Sequence, residues 1–151
     1  MKKIQDRIKG RESVIKVAAV QMNSRLGDKE YNLKTQVRLI EKAVKNGASL
    51  IVLPELVTTG YRFNTRQEVA ELAEPIPDGS ICRTWIEICQ GHNIYICGGL
   101  AERDGDKFYN SAALVGPGGL IGKYRKIHLW DEERLFFELG DLGLPVFHLP
   151  F

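Results

Sequence analysis

An α/β domain with a mixed sheet is the fold class the sequence predicts, on three observations. Short apolar runs at 14–22 and 50–53 flank a segment of helical periodicity, the signature of two parallel strands joined by a crossover helix. Three strand-like runs after Ile94 are separated only by turn-forming residues, which predicts an antiparallel meander. A length of 151 residues is enough for one domain with a real core.

The elements follow in order. Residues 1–13 lean basic, with Lys2, Lys3, Arg7, Lys9 and Arg11 against Asp6 and Glu12. They are expected to form a solvated, frayed lead-in, and no continuous apolar stretch follows to make a signal peptide. Val14 to Met22 reads as a buried strand, broken by Gly27 and Asp28. From Glu30 to Asn46, Leu33, Val37, Ile40 and Val44 recur at helical spacing, with Gly47 as the stop. Leu50 to Leu53 is the second short strand. Thr58 to Asp78 turns polar and irregular around Gly60, Pro75 and Pro77. A second helix is expected from about Asp78, which can cap it, with Ile81, Trp85 and Ile88 buried and Gly91 at its end. The meander comprises 94–102, 107–115 and 120–129, turning at Asp104-Gly105 and Gly116-Pro117-Gly118-Gly119. The closing run from Leu144 to Phe151 is extended and apolar with no partner after it. Residues 14–151 therefore read as an incomplete domain.

Composition excludes more than it selects. Apolar residues at 44% and charged residues at 26% are ordinary for a soluble domain. A net charge of +2 does not imply a nucleic-acid or membrane partner. No apolar run is long enough to span a bilayer, so a cytoplasmic location is the default expectation. Cys82, Cys89 and Cys97 have no metal-ligand spacing and read as small buried hydrophobes. A disulfide scaffold is not expected in a chain of this kind.

Three residues could carry chemistry. Glu55 follows an apolar strand that Pro54 terminates, and ligands of open α/β sheets bind outside the carboxyl ends of strands. A carboxylate there suits a general base. Lys126 lies in the cation-rich run Lys123-Tyr124-Arg125-Lys126-Ile127-His128, where alternation puts Gly122, Tyr124, Lys126 and His128 on one face. Glu133 follows in 130–137, and a carboxylate beside an ammonium keeps both charged. Read locally, each has an ordinary alternative: a capping or loop-surface Glu55, a solvated edge strand around Lys126, a charged helical turn at Glu133. The basic run is a weak footprint for nucleic acid.

The ordered set of motifs is more specific. Val17-Ala18-Ala19-Val20-Gln21-Met22, then Leu53-Pro54-Glu55-Leu56 with Thr59-Gly60-Tyr61, then Tyr124-Arg125-Lys126-Ile127-His128-Leu129 and the loop Phe136 to Gly143 resemble the nitrilase superfamily of carbon–nitrogen hydrolases. The resemblance runs from about Val14 to the last residue. It implies the first part of a four-layer α-β-β-α sandwich, with homo-oligomers formed through the sandwich faces. It implies hydrolysis of nonpeptide C–N bonds in small amides, N-carbamoyl compounds or nitriles through a thioester, with no metal or organic cofactor. Carried over by position, Glu55 is the general base, Lys126 the oxyanion-stabilising cation and Glu133 the supporting carboxylate. Tyr61 and Trp130 are candidate substrate-lining residues. The family cysteine follows the lysine motif, whereas all three cysteines here precede Lys126. The resemblance thus places the nucleophile outside these residues and implies that the chain alone is inactive. Cys97, in apolar surroundings, is not expected to replace it. The rival reading is a non-catalytic small-molecule-binding or assembly module of the same fold.

Overall fold

Strand β1 (Val17–Ala19), helix α1 (Lys29–Lys45) and strand β2 (Leu50–Val52) form the predicted βαβ unit in the computed structural model, which describes residues 14–151. The basic lead-in at 1–13 lies outside the described residues. Helix α1 starts where Asp28 accepts a hydrogen bond from the Tyr31 amide at 3.0 Å. It stops where Gly47 takes a φ of +80°, a conformation that favours glycine.

Helix α2 (Arg66–Leu72) and helix α3 (Ser80–His92) precede β3 (Tyr95–Asp104), β4 (Lys107–Gly116) and β5 (Gly119–Arg125). The strand order is β1-β2-β3-β4-β5, parallel through β3 and antiparallel beyond it, so the mixed sheet and the meander are both present. Ile40 and Leu33 of α1 and Ile81, Cys82, Trp85 and Cys89 of α3 pack onto Ile51, Ile96, Leu100, Ala113 and Val115. Both helices thus cover the same face. The opposite face carries Val17 and Val52 partly exposed.

Several expectations are corrected. The first strand pairs only over Val17–Ala19, and Val14 is exposed, because β1 lies at the sheet's edge. The irregular stretch contains α2, whose seven residues bury only Val69 and so show no helical period. Asp78 does not cap α3. Gly79 occupies that position, and the Glu74 carboxylate accepts from the Ile81 amide at 3.0 Å and the Ser80 hydroxyl at 2.9 Å. The helix runs through Gly91 and ends at Asn93, with φ +53°. Its buried face is Ile81, Cys82, Trp85 and Cys89, with Ile88 only half-buried. β5 ends at Arg125, just short of Lys126. Among the described residues the closing segment pairs with no strand; Leu144 and Val146 are exposed, and Phe151 sets its ring edge-on to Tyr95 at 5.3 Å.

One close approach positions the site. A Cβ at Gly99 would lie 2.5 Å from Glu55 Cα, 2.7 Å from the Leu56 nitrogen and 2.8 Å from the Pro54 oxygen. These are backbone atoms and cannot rotate away. Gly99→Ala is therefore expected to displace the Glu55 loop and cost about 1–3 kcal/mol, read as a lower midpoint in urea.

Candidate active site

Glu55 sits on a loop fixed from three sides. The Leu53 amide donates to Cys97 O at 2.8 Å, the Gly99 amide to Pro54 O at 3.1 Å and the Val57 amide to Gly99 O at 3.0 Å, which stitches the loop along β3. From α1, Asn32 Nδ2 reaches Thr58 O at 2.9 Å and Gln36 Nε2 reaches Val57 O at 3.2 Å. Both amides are fully buried, and Gln36 Oε1 also accepts from the Trp85 indole at 3.1 Å. Leu56, next to Glu55, holds φ at +43°, a left-handed conformation costing about 1–3 kcal/mol in a non-glycine residue. Its buried side chain packs with Phe63, Ala101, Phe108, Leu129, Phe136 and Phe137 in a second apolar cluster, which keeps it there.

Lys126 leaves the end of β5 with its amide on Asn110 O at 2.8 Å and its carbonyl accepting from the Gly140 amide at 3.0 Å. Its ammonium lies 2.9 Å from Glu55 Oε1, 3.0 Å from Glu133 Oε1 and 2.8 Å from Glu133 Oε2. Glu133 belongs to a 3₁₀ turn (Asp131–Leu135), the helical turn anticipated locally, and its carboxylate also accepts from the Trp130 amide at 2.6 Å. All three predicted residues therefore meet at one point.

The charge state follows from the contacts. Burial alone would lower the Lys126 pKa, but hydrogen bonds to Glu133 and Glu55 more than offset it, and the ammonium is held above its ordinary 10.5. Burial likewise pushes Glu133 up, and the Lys126 hydrogen bond, the Trp130 amide and Asn110 outweigh it, so Glu133 is held below its ordinary 4.5. Glu55 Oε1 is taken by Lys126 and by Asn110 Nδ2 at 2.6 Å. Among the described residues its Oε2 meets only the Tyr61 hydroxyl, at 3.3 Å. Burial, then the Glu55 charge, raises the Tyr61 pKa, so the phenol stays a donor.

A cavity of about 650 Å³ opens beside this cluster, walled by Tyr61, Arg62, Phe63, Trp130, Phe136 and Phe137. Tyr61 and Trp130 thus both border the same space as Glu55, Lys126 and Glu133, with Trp130 largely exposed at the rim. Among the described residues, no three His, Cys, Asp or Glu side chains converge as metal ligands, and no helix is long and apolar enough to cross a membrane. The thiols of Cys82 and Cys89 are buried, and burial pushes both up to about 12. Burial also raises that of Cys97, which is half-buried. None of the three has the character of an activated nucleophile.

Sequence reasoning missed Asn110, Asn32 and Gln36. Asn110 is a buried polar residue on β4, and asparagine is depleted in strands. Asn32 and Gln36 sit four apart on one face of α1, where the apolar stripe draws the eye instead.

A helix-covered mixed sheet that presents a Glu-Lys-Glu cluster beside a cavity defines an α/β domain with a candidate catalytic site. Comparison with known proteins narrows it. The sequence profile of the family described as "Carbon-nitrogen hydrolase" matches residues 16–151. A protein named nitrilase from Pyrococcus abyssi is 51% identical over 138 residues, covering 91% of this chain and 53% of that protein. A citrullinase from Francisella tularensis is 34% identical over 139 residues, covering 87% of this chain and 48% of its own length. The crystal structure of an N-terminal amidase superposes with a TM-score of 0.75 at 30% identity, covering 83% of this chain and 31% of that one. The chain belongs to the carbon–nitrogen hydrolase family. It spans about half the length of these curated relatives.

Proposed function

We propose that this chain supplies the base, cation and supporting carboxylate of a cysteine-dependent hydrolase acting on nonpeptide C–N bonds of small amides, N-carbamoyl compounds or nitriles. The nucleophilic thiol comes from sequence outside residues 1–151, and residues 14–151 are one part of a larger sandwich domain. The observation that carries this reading is the Lys126 ammonium held at 2.8–3.0 Å between Glu55 and Glu133. The family membership and the unreactive setting of Cys82, Cys89 and Cys97 support it.

On an amide, Glu55 accepts the thiol proton, and Oε2 is the oxygen with capacity left to do so. The thiolate attacks the carbonyl carbon, and Lys126 stabilises the negative charge that develops on the carbonyl oxygen. Glu55 returns the proton to the departing nitrogen as the C–N bond breaks, leaving a thioester and free ammonia or amine. A water then loses a proton to Glu55 and attacks the thioester, and the thiol is regenerated as the acid leaves. Glu133 keeps Lys126 charged and aimed. Tyr61 and Trp130 border the substrate space. The relatives are named for nitrile, amide and citrulline chemistry, so the substrate class is the family's broad one. Subunits pair through the sandwich faces, and the protein works in the cytoplasm.

Ammonia release from a panel of small amides, N-carbamoyl amino acids and nitriles tests this. The protein expressed from its complete reading frame is expected to turn over at least one class, and residues 1–151 alone none. Robust turnover by 1–151 would overturn the assignment of the nucleophile. Silence from a folded complete protein would favour the non-catalytic module.

A further inference from the structure

Asn110 occupies a place that the hydrolase mechanism leaves unassigned. Its Nδ2 lies 2.6 Å from Glu55 Oε1 and 2.9 Å from Glu133 Oε1, and its carbonyl accepts the Lys126 amide. The residue is only 3% exposed, on β4 one residue before Ser111. A side-chain amide nitrogen carries two hydrogens and accepts nothing. Donating to both carboxylates at once uses both hydrogens and requires both oxygens to act as acceptors. The opposite amide orientation would aim Oδ1 at two carboxylate oxygens, so the neighbours dictate which way it points.

The electrostatics give this bridge a task. Two carboxylates around one ammonium repel each other at close range, and like charges sharing a site favour protonation of one of them. Lys126 alone offsets part of that repulsion. Asn110 adds a neutral donor to each carboxylate without adding a charge, and it takes up Oε1 of Glu55 while Oε2 meets the Tyr61 hydroxyl.

We infer that Asn110 is a positioning residue: its amide bridges Glu55 and Glu133 and fixes their spacing, so that Glu55 Oε2 faces the reacting atoms. This rests on the hydrolase reading above. The depressed Glu133 titration, to which the Asn110 hydrogen bond contributes, agrees with it.

The test uses the protein from its complete reading frame and compares Asn110→Ala, Asn110→Asp and Lys126→Ala. Aspartate nearly preserves the shape but replaces the donor by a third negative charge. The expected order of kcat is wild type, then Asn110→Ala lower by about tenfold or more, then Asn110→Asp lower still, with KM changed far less. A residue that merely filled space would give the reverse order, with Asn110→Asp close to wild type, and that result overturns the inference. Should Asn110→Asp not fold, ¹³C titration of the Glu133 carboxyl in Asn110→Ala decides. An upward shift of its midpoint supports the bridge, and an unmoved midpoint overturns it. Lys126→Ala separates the two levels: activity surviving it removes the hydrolase reading itself, whereas its loss alongside neutral Asn110 variants removes only the role of Asn110.

Discussion

Lys126→Ala is expected to lower kcat/KM for ammonia release by about 10³-fold or more in the protein from its complete reading frame, with the fold retained by circular dichroism. Two effects add. The substitution removes the cation that would meet the developing oxyanion, and a single such donor is worth about 10²–10³-fold. It also leaves Glu55 and Glu133 facing each other without the ammonium that both contact. Like charges in one site push a proton onto one of them, which handicaps the base as well. Arginine is not expected to rescue, because its flat guanidinium cannot send three hydrogens to the converging oxygens that Lys126 serves. Glu55→Gln should be nearly as damaging, since general-base catalysis accounts for about 10²–10⁴-fold. The pH behaviour has a definite sign. The folded-state pKa of Lys126 is raised, so its contribution is complete below the ordinary 10.5 and is lost only as pH rises through the higher folded value. An alkaline loss of activity setting in near neutrality would argue against an ammonium paired in this way.

How much of this was legible in the sequence depends on whether the signal was local. The β1-α1-β2 unit and the meander were readable because periodicity and turn chemistry are properties of short windows. Glu55, Lys126 and Glu133 were each ambiguous alone, and their order along the chain made them a set. What could not be read was how the loop after Glu55 is held. That depends on Asn32 and Gln36 reaching out of α1 to Thr58 O and Val57 O, contacts that span 26 and 21 residues. Helix α2 escaped because two turns are too short to display a period. The end of α3 was misplaced because Gly91 looks like a stop, while an asparagine at φ +53° two residues later is the actual one. The basic run at 123–126 does begin on the edge strand β5, but it is not simply solvated, because Arg125 is buried.

That burial underlies the second large effect, expected for Glu102→Ala. Glu102 is fully buried on β3 and every oxygen is engaged. Oε1 accepts from Lys123 Nζ at 2.5 Å and Arg125 Nη2 at 2.6 Å, and Oε2 from Arg125 Nε at 3.0 Å and the Ser111 hydroxyl at 2.5 Å. Arg125 extends the network to Asp104 at 2.7 Å and Asp141 at 2.9 Å and lies 3.7 Å above the Tyr109 ring. One guanidinium thus ties the end of β5 to the β3–β4 hairpin and to the loop after the 3₁₀ turn. Removing Glu102 leaves that guanidinium buried without its main counter-charge, a change that costs about 3–5 kcal/mol. For a domain of this size that is a fall in melting temperature of about 10 °C. Burial raises the Glu102 pKa and the Arg125, Lys123 and Ser111 hydrogen bonds more than reverse it, so the folded-state value lies below the ordinary 4.5. A depressed carboxylate stabilises fully above its unfolded value, and that contribution is lost as pH falls through the folded one. Thermal melts of the wild type should therefore lose stability as pH drops below about 4.5, and Glu102→Ala, already lacking the contribution, should show a shallower acid slope. Because Lys126 is the next residue after Arg125, the variant should also lose turnover before it unfolds. Full turnover in a folded Glu102→Ala protein would show that the buried network supports the fold without steering the lysine.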